Sequence, residues 1–114
     1  MSSPITTHVL DTANGHPAQG ITVILERRSD DDQWTELARG VTDDDGRIGD
    51  WLPGGEAAKT GVYRATFEVG SYFDSDDAPF YSTIPIVFHL NDPQAHYHVP
   101  LLLSPYGYTT YRGS

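Results

Sequence analysis

The sequence contains no cysteine, which excludes a disulfide framework and any thiolate metal centre. That composition fits a reducing compartment. Basic residues are scarce, 7 against 16 acidic ones, for a net charge of −9. With no basic stripe to neutralise phosphates, the balance speaks against nucleic acid and against an anionic membrane surface. A small anionic ligand stays open, because a few arginines inside a pocket outweigh distant surface carboxylates. Long apolar runs are missing too, and none approaches the ~18 residues of a membrane-spanning helix. The opening MSSPITTHVLD lacks the basic region and apolar stretch of a signal peptide. The expected location is the cytoplasm.

Helical periodicity is nearly absent, and what is present is β-type. The 114 residues suit a single domain over 1–114 with a small core. Residues 5–10 form a short β-type run closed by the turn signal Asp11-Thr12-Ala13-Asn14-Gly15. ITVILE at 21–26 is a strong strand, Asp30-Asp31-Asp32 a solvated hairpin loop, and 34–42 the return strand. In that return strand Trp34, Glu36 and Ala38 fall on one face and Leu37 and Val41 partly on the other. Asp43-Asp44-Asp45-Gly46 lacks the alternating ligands and distal Glu of a calcium loop and reads as a turn with Gly46 at positive φ. Residues 48–52 read as a short edge strand, 56–60 as one helical turn at most, and 70–79 as a loop or short helix. In VYRATFEV at 62–69, Tyr63, Ala65, Phe67 and Val69 make a core face. IPIVFHL at 84–90 is an apolar strand, and two more strands follow. The pattern predicts an all-β fold: an antiparallel two-sheet sandwich of about eight strands, with at most one short helix.

The C-terminal stretch HYHVPLLLSPYGYTTYRGS carries most of the functional groups. As a strand it sends Tyr97, Val99, Leu101 and Leu103 to the core and His96, His98, Pro100 and Leu102 to the opposite face. Two imidazoles spaced i, i+2 can bind zinc or copper, but only with a third ligand from His8 or a carboxylate. A histidine in a strand is equally compatible with a partly buried structural role. Arg47 and Arg112 each offer a planar fork to a carboxylate or an acidic heterocycle. There is no phosphate-binding glycine loop, no nucleophile elbow and no thiol, so enzymatic chemistry here would be histidine-assisted attack of water.

These residues carry a resemblance. The chain resembles the transthyretin-related proteins, specifically the 5-hydroxyisourate hydrolases, over nearly its full length. ITTHVLDTANGHPAQGITVIL looks like the family's first two strands and their loop, TDDDGRI like its second signature, and FYSTIPIVFHLNDPQAHYHVPLLLSPYGYTTYRGS like its third. The closing YRGS is the most specific mark; transthyretin, the vertebrate hormone carrier, shares the fold but lacks that ending and the accompanying His/Arg set.

The resemblance implies a transthyretin-like sandwich that hydrolyses 5-hydroxyisourate to 2-oxo-4-hydroxy-4-carboxy-5-ureidoimidazoline, on the route from urate to allantoin. It carries over His8 of THVLD, Arg47 of DGR, His98 of YHVP and Ser114 of YRGS as catalytic residues. His8, Arg47, Tyr111 and Arg112 would bind substrate, and His96 would be a neighbour of His98 outside the essential pair. Either His8 or His98 could be the general base. No metal and no cofactor are expected, and the assembly would be a homotetramer with sites at the dimer–dimer interface. The competing reading is a transthyretin-like carrier that binds a small aromatic molecule without turnover.

Overall fold

Alternation of more and less buried side chains builds most strands of this protein. The computed structural model describes residues 4–49, 51–52, 59–73 and 80–113. β1 (Ile5–Asp11) buries every second side chain, and β3 (Thr22–Arg28) repeats the pattern with Val23 and Leu25. β5 (Gly61–Glu68) turns Tyr63, Ala65 and Phe67 inward, and β7 (Tyr97–Ser104) turns Tyr97, Val99, Leu101 and Leu103 inward. Both core faces match the period-2 reading of the sequence. Each fully buried side chain of this size contributes about 1.5–3 kcal/mol.

The remaining strands are β2 (His16–Pro17), β4 (Trp34–Val41), β6 (Thr83–Leu90) and β8 (Gly107–Thr110). They complete two four-stranded sheets, ordered β2-β1-β7-β8 and β4-β3-β5-β6. This is the expected two-sheet sandwich of eight strands. All pairings are antiparallel except the central one of the first sheet, where β1 and β7 run parallel. The chain leaves the first sheet after β2, builds the second, and returns as β7 beside β1; so long a crossover permits parallel pairing.

Three local readings change. Residues 48–52 form no edge strand: Arg47 makes a single antiparallel bridge to His8, and Ile48, Trp51 and Leu52 all turn into the core. Side chains that all face inward cannot alternate along a ladder. Pro17, read as loop, pairs with Leu10 in the two-residue β2. In β4 only Ala38 is buried, because the register slips between Leu25 and Glu26. Leu37 becomes the unpaired residue of a bulge, which breaks the alternation. The helical turn expected at 56–60 and the loop or helix at 70–79 fall largely outside the described residues.

Buried polar groups tie the connections to this frame. Asp11 accepts hydrogen bonds from the Ala13 and Asn14 amides, from Asn14 Nδ2, and from the Tyr72 hydroxyl at 2.7 Å. The Tyr97 hydroxyl accepts from the Asn91 and Asp92 amides, which fixes the turn that delivers β7 to β1.

Candidate active site

The site is built where β1 and β7 lie side by side. In their register Thr6 stands opposite His98 and His8 opposite Pro100. Ile5, Thr7, Val9, Tyr97 and Val99 are buried, so alternation sends Thr6, His8 and His98 to the outer face of the sheet. There the imidazoles of His8 and His98 tilt toward each other with centroids 6.4 Å apart. Thr6 Oγ1 lies 2.8 Å from His98 Nδ1 and 3.1 Å from His96 Nε2. His96 itself precedes β7 and is exposed.

Arg47 arrives from the Asp43–Gly46 turn. The Asp43 carboxylate accepts hydrogen bonds from the Arg47 and Asp45 amides, and the Asp43 amide donates to the Arg47 carbonyl at 2.8 Å. Those backbone bonds, Arg47 first and Asp45 second, hold the Asp43 carboxyl below its usual range. Gly46 takes the expected positive φ, 76°, and its carbonyl accepts from the Val9 amide. A Cβ at Gly46 would collide with the Val9 carbonyl oxygen, so the turn can sit this close to β1 only with glycine there. The acidic turn is thus a mount for Arg47.

Thr6, Asp43, Arg47, His96 and His98 line one cleft of about 490 Å³. Among the described residues the Arg47 guanidinium forms no ion pair. Burial, then the positive charge of Arg47 and the imidazoles of His8 and His96, push His98 below the ordinary imidazole value. His98 is therefore neutral near pH 7 and able to accept a proton. Its Nδ1 is engaged by Thr6, and its Nε2 has no protein partner among the described residues.

The tail after β8 closes over this histidine. The Gly113 amide donates to the His98 carbonyl at 2.8 Å, continuing the β7–β8 register. The Arg112 guanidinium stacks 4.4 Å above the Tyr97 ring, and Tyr111 and Arg112 line a neighbouring hollow with Ile86, Phe88 and His98 itself. Within one chain the structure therefore gathers His8, Arg47 and His98, and leaves Tyr111 and Arg112 outside the polar cleft. Ser114 lies outside the described residues. The sequence reading missed Thr6, Asp43 and Gly113. Thr6 carries a usable signal, since it is two residues from His8 on the same strand face. Among the described residues, the only three potential metal ligands close enough to share an ion are the exposed Asp43, Asp44 and Asp45.

Residues 5–113 match the family model described as "HIUase/Transthyretin family". The chain belongs to the HIUase/Transthyretin family. It is 48% identical to a 5-hydroxyisourate hydrolase of Salmonella typhi over 114 residues, 99% of this chain and 82% of the relative. Its fold superposes on the structure of Klebsiella pneumoniae 5-hydroxyisourate hydrolase with a TM-score of 0.81 at 34% identity, covering 96% of this chain and 97% of that one. It superposes on transthyretin from Sparus aurata with a TM-score of 0.88 at 33% identity, covering 96% of each. Both branches of the family share the backbone, so shape alone does not separate a hydrolase from a carrier.

Proposed function

We propose that this chain hydrolyses 5-hydroxyisourate by opening a ring amide, as its curated relatives are named to do. The observation that carries the reading is a neutral, half-buried His98 sharing a cleft with an Arg47 that has no ion-pair partner among the described residues. His98 takes a proton from water, and the resulting hydroxide adds to the amide carbonyl. Arg47 holds the acidic heterocycle and stabilises the developing oxyanion. Collapse breaks the carbon–nitrogen bond, the ring nitrogen takes a proton, and the new carboxyl ionises. His8 orients substrate from the opposite side of the pair. A carrier has no need of a desolvated base facing a guanidinium, and the carrier reading is not favoured.

Supply of freshly generated 5-hydroxyisourate tests the reading. Its ultraviolet absorbance should decay far faster with the protein than without, and equal rates would overturn the assignment.

A homotetramer completes this reading. β6 and β8 are both unpaired sheet edges, and together they border an apolar hollow of about 220 Å³. Phe80 and Val87, 73% and 56% exposed, lie on or beside that edge. Pairing of two copies there satisfies both ladders and covers these side chains. The His98 cleft opens on the outer face of the β2-β1-β7-β8 sheet, where a second dimer would exclude water and bring its own tail residues. Light scattering should return four times the chain mass, and Phe80→Glu should reduce it.

A further inference from the structure

The hydroxyl of Thr6 does more than fill a strand position. Among the described residues it is the one group hydrogen-bonded to both His98 and the exposed His96, at 2.8 and 3.1 Å. A hydroxyl has a single proton, so it cannot donate to both imidazoles at once. It can accept from both rings, or accept from one while donating to the other. Two arrangements make a continuous donor chain. In the first, His98 Nδ1–H donates to Thr6 and Thr6 donates to His96 Nε2, which leaves His98 Nε2 with a free lone pair. In the second the direction reverses, and His98 Nε2 carries the proton.

The reaction under the hydrolase reading supplies a reason for such a chain. Opening an amide to a carboxylate and a weakly basic ureido nitrogen releases one net proton at neutral pH. Held on His98, that proton would make a half-buried imidazolium beside Arg47 and His8. Held on His96, it would be solvated, because His96 is exposed.

We propose that Thr6 and His96 form a proton exit from His98, keeping that ring neutral while it serves as the base. The step balances without any further reagent. His98 Nε2 accepts a proton from water, His98 Nδ1–H passes its proton to Thr6 Oγ1, and the Thr6 O–H proton moves to His96 Nε2. His96 becomes the imidazolium on its exposed ring. When His98 Nε2–H then protonates the departing ring nitrogen, the shifts run back through Thr6 and restore Nδ1–H on His98, and the new carboxyl releases the net proton. Around the chain stand Arg47 and Asp43 from the turn and His8 from β1, while Arg112 is drawn away over Tyr97. Asp43 is the one carboxylate lining the cleft among the described residues, and its carboxylate is engaged by the Arg47 and Asp45 amides. Thr6 and His96 are positioning residues that act through His98.

The proposal rests on the hydrolase reading, and its test separates the two. If the wild-type protein fails to accelerate decay of 5-hydroxyisourate, the hydrolase reading fails. If it is active, His96→Gln at low buffer concentration should lose several-fold in kcat with KM unchanged, and added imidazole should restore the rate. Thr6→Val should show the same kcat loss, and Thr6→Ser should keep wild-type kcat. An unchanged kcat in both His96→Gln and Thr6→Val overturns the exit, and so does a loss that imidazole does not restore in His96→Gln. A readout independent of turnover is the tautomer of His98 by long-range nitrogen-15 NMR. It should become mixed in Thr6→Val and stay wild-type in Thr6→Ser; no change in Thr6→Val would also overturn the proposal.

Discussion

Gly113 packs so tightly on His98 that a Cβ there would lie 2.5 Å from the imidazole Cδ2. No φ constraint demands glycine at this position; the demand comes from the histidine ring itself. Gly113→Ala must therefore either rotate His98 off its hydrogen bond to Thr6 or lift the tail from β7. Either movement displaces reacting groups by enough to cost on the order of 10²-fold in rate. The core is untouched, so thermal unfolding should change little while kcat falls. A variant with normal turnover would show that the tail is loosely held in solution.

Direct removal of the imidazole is the simpler case. His98→Ala should lower turnover by ~10² or more if the ring transfers the proton. Near-normal turnover would move the base role to His8. The variant also leaves the Thr6 hydroxyl one partner short, an effect on stability that unfolding curves can separate from the kinetic loss.

Charge around His98 sets the pH profile. Its value is depressed below 6.5 by burial first and by Arg47 second. The base form thus persists into mild acid, and the acid limb of kcat/KM should lie below pH 6.5. Arg47→Lys keeps the charge and loses the fork, so it should lower the rate without moving that limb. Arg47→Gln should lower the rate and move the limb up toward, but not to, the ordinary value, because burial remains. The linkage has a stability counterpart. A depressed imidazole contributes stability that is present above its unfolded value and lost as pH falls through the folded value. Mild acid, starting near pH 6.5, should therefore begin to weaken the fold.

Much of this arrangement was legible in the sequence, and the exceptions have physical causes. The core faces of β5 and β7 follow from alternation alone, since local side-chain direction is fixed by strand geometry. The parallel pairing of β1 with β7 is non-local, and nothing in either strand encodes its partner. Thr6 looked like an ordinary strand threonine because its significance lies in standing opposite His98. His96 and His98 were read as two residues of one strand face; the real link between them is a hydroxyl from another strand. The Arg47 turn was recognised by its glycine, whereas Asp43 was read as one acid among three. Its role depends on two backbone amides that only the folded turn presents.

Asp11 and Tyr72 make a testable lock far from the cleft. Burial alone would raise the Asp11 carboxyl, but the hydrogen bonds from Asn14, Tyr72 and Ala13 outweigh it and hold the group below 3.8. Tyr72 is pushed up to about 12 by burial, then by its hydrogen bond to Asp11 and the charge on that carboxylate. Asp11 contributes stability present above its unfolded value and lost as pH falls through the folded one; Tyr72 contributes stability present below pH 10 and lost as pH rises through about 12. Tyr72→Phe removes the shared bond and should cost about 1–2 kcal/mol at neutral pH. Its acid-unfolding midpoint should rise and its alkaline loss should begin elsewhere. Matching pH–stability curves for variant and wild type would show that the bond contributes nothing.

Deleting residues 111–114 separates the fold from the site most cleanly. The β7–β8 ladder ends at the Leu101–Thr110 pair, so its strand pairing survives the deletion. Among the described residues, the deletion removes the Gly113–His98 backbone bond and the Arg112 stack on Tyr97. A net hydrogen bond is worth roughly 1 kcal/mol and a partly exposed cation–π contact about 0.5–2 kcal/mol. That sum leaves most of a small domain's stability in place, so circular dichroism should report a folded β-protein with a modestly lower melting temperature. His98 loses the wall that packs on its Cδ2 edge, and its ring becomes free to rotate about Thr6. Turnover of 5-hydroxyisourate should collapse while the fold persists. Loss of both together would make the tail a structural strand, and retention of both would remove it from the active site.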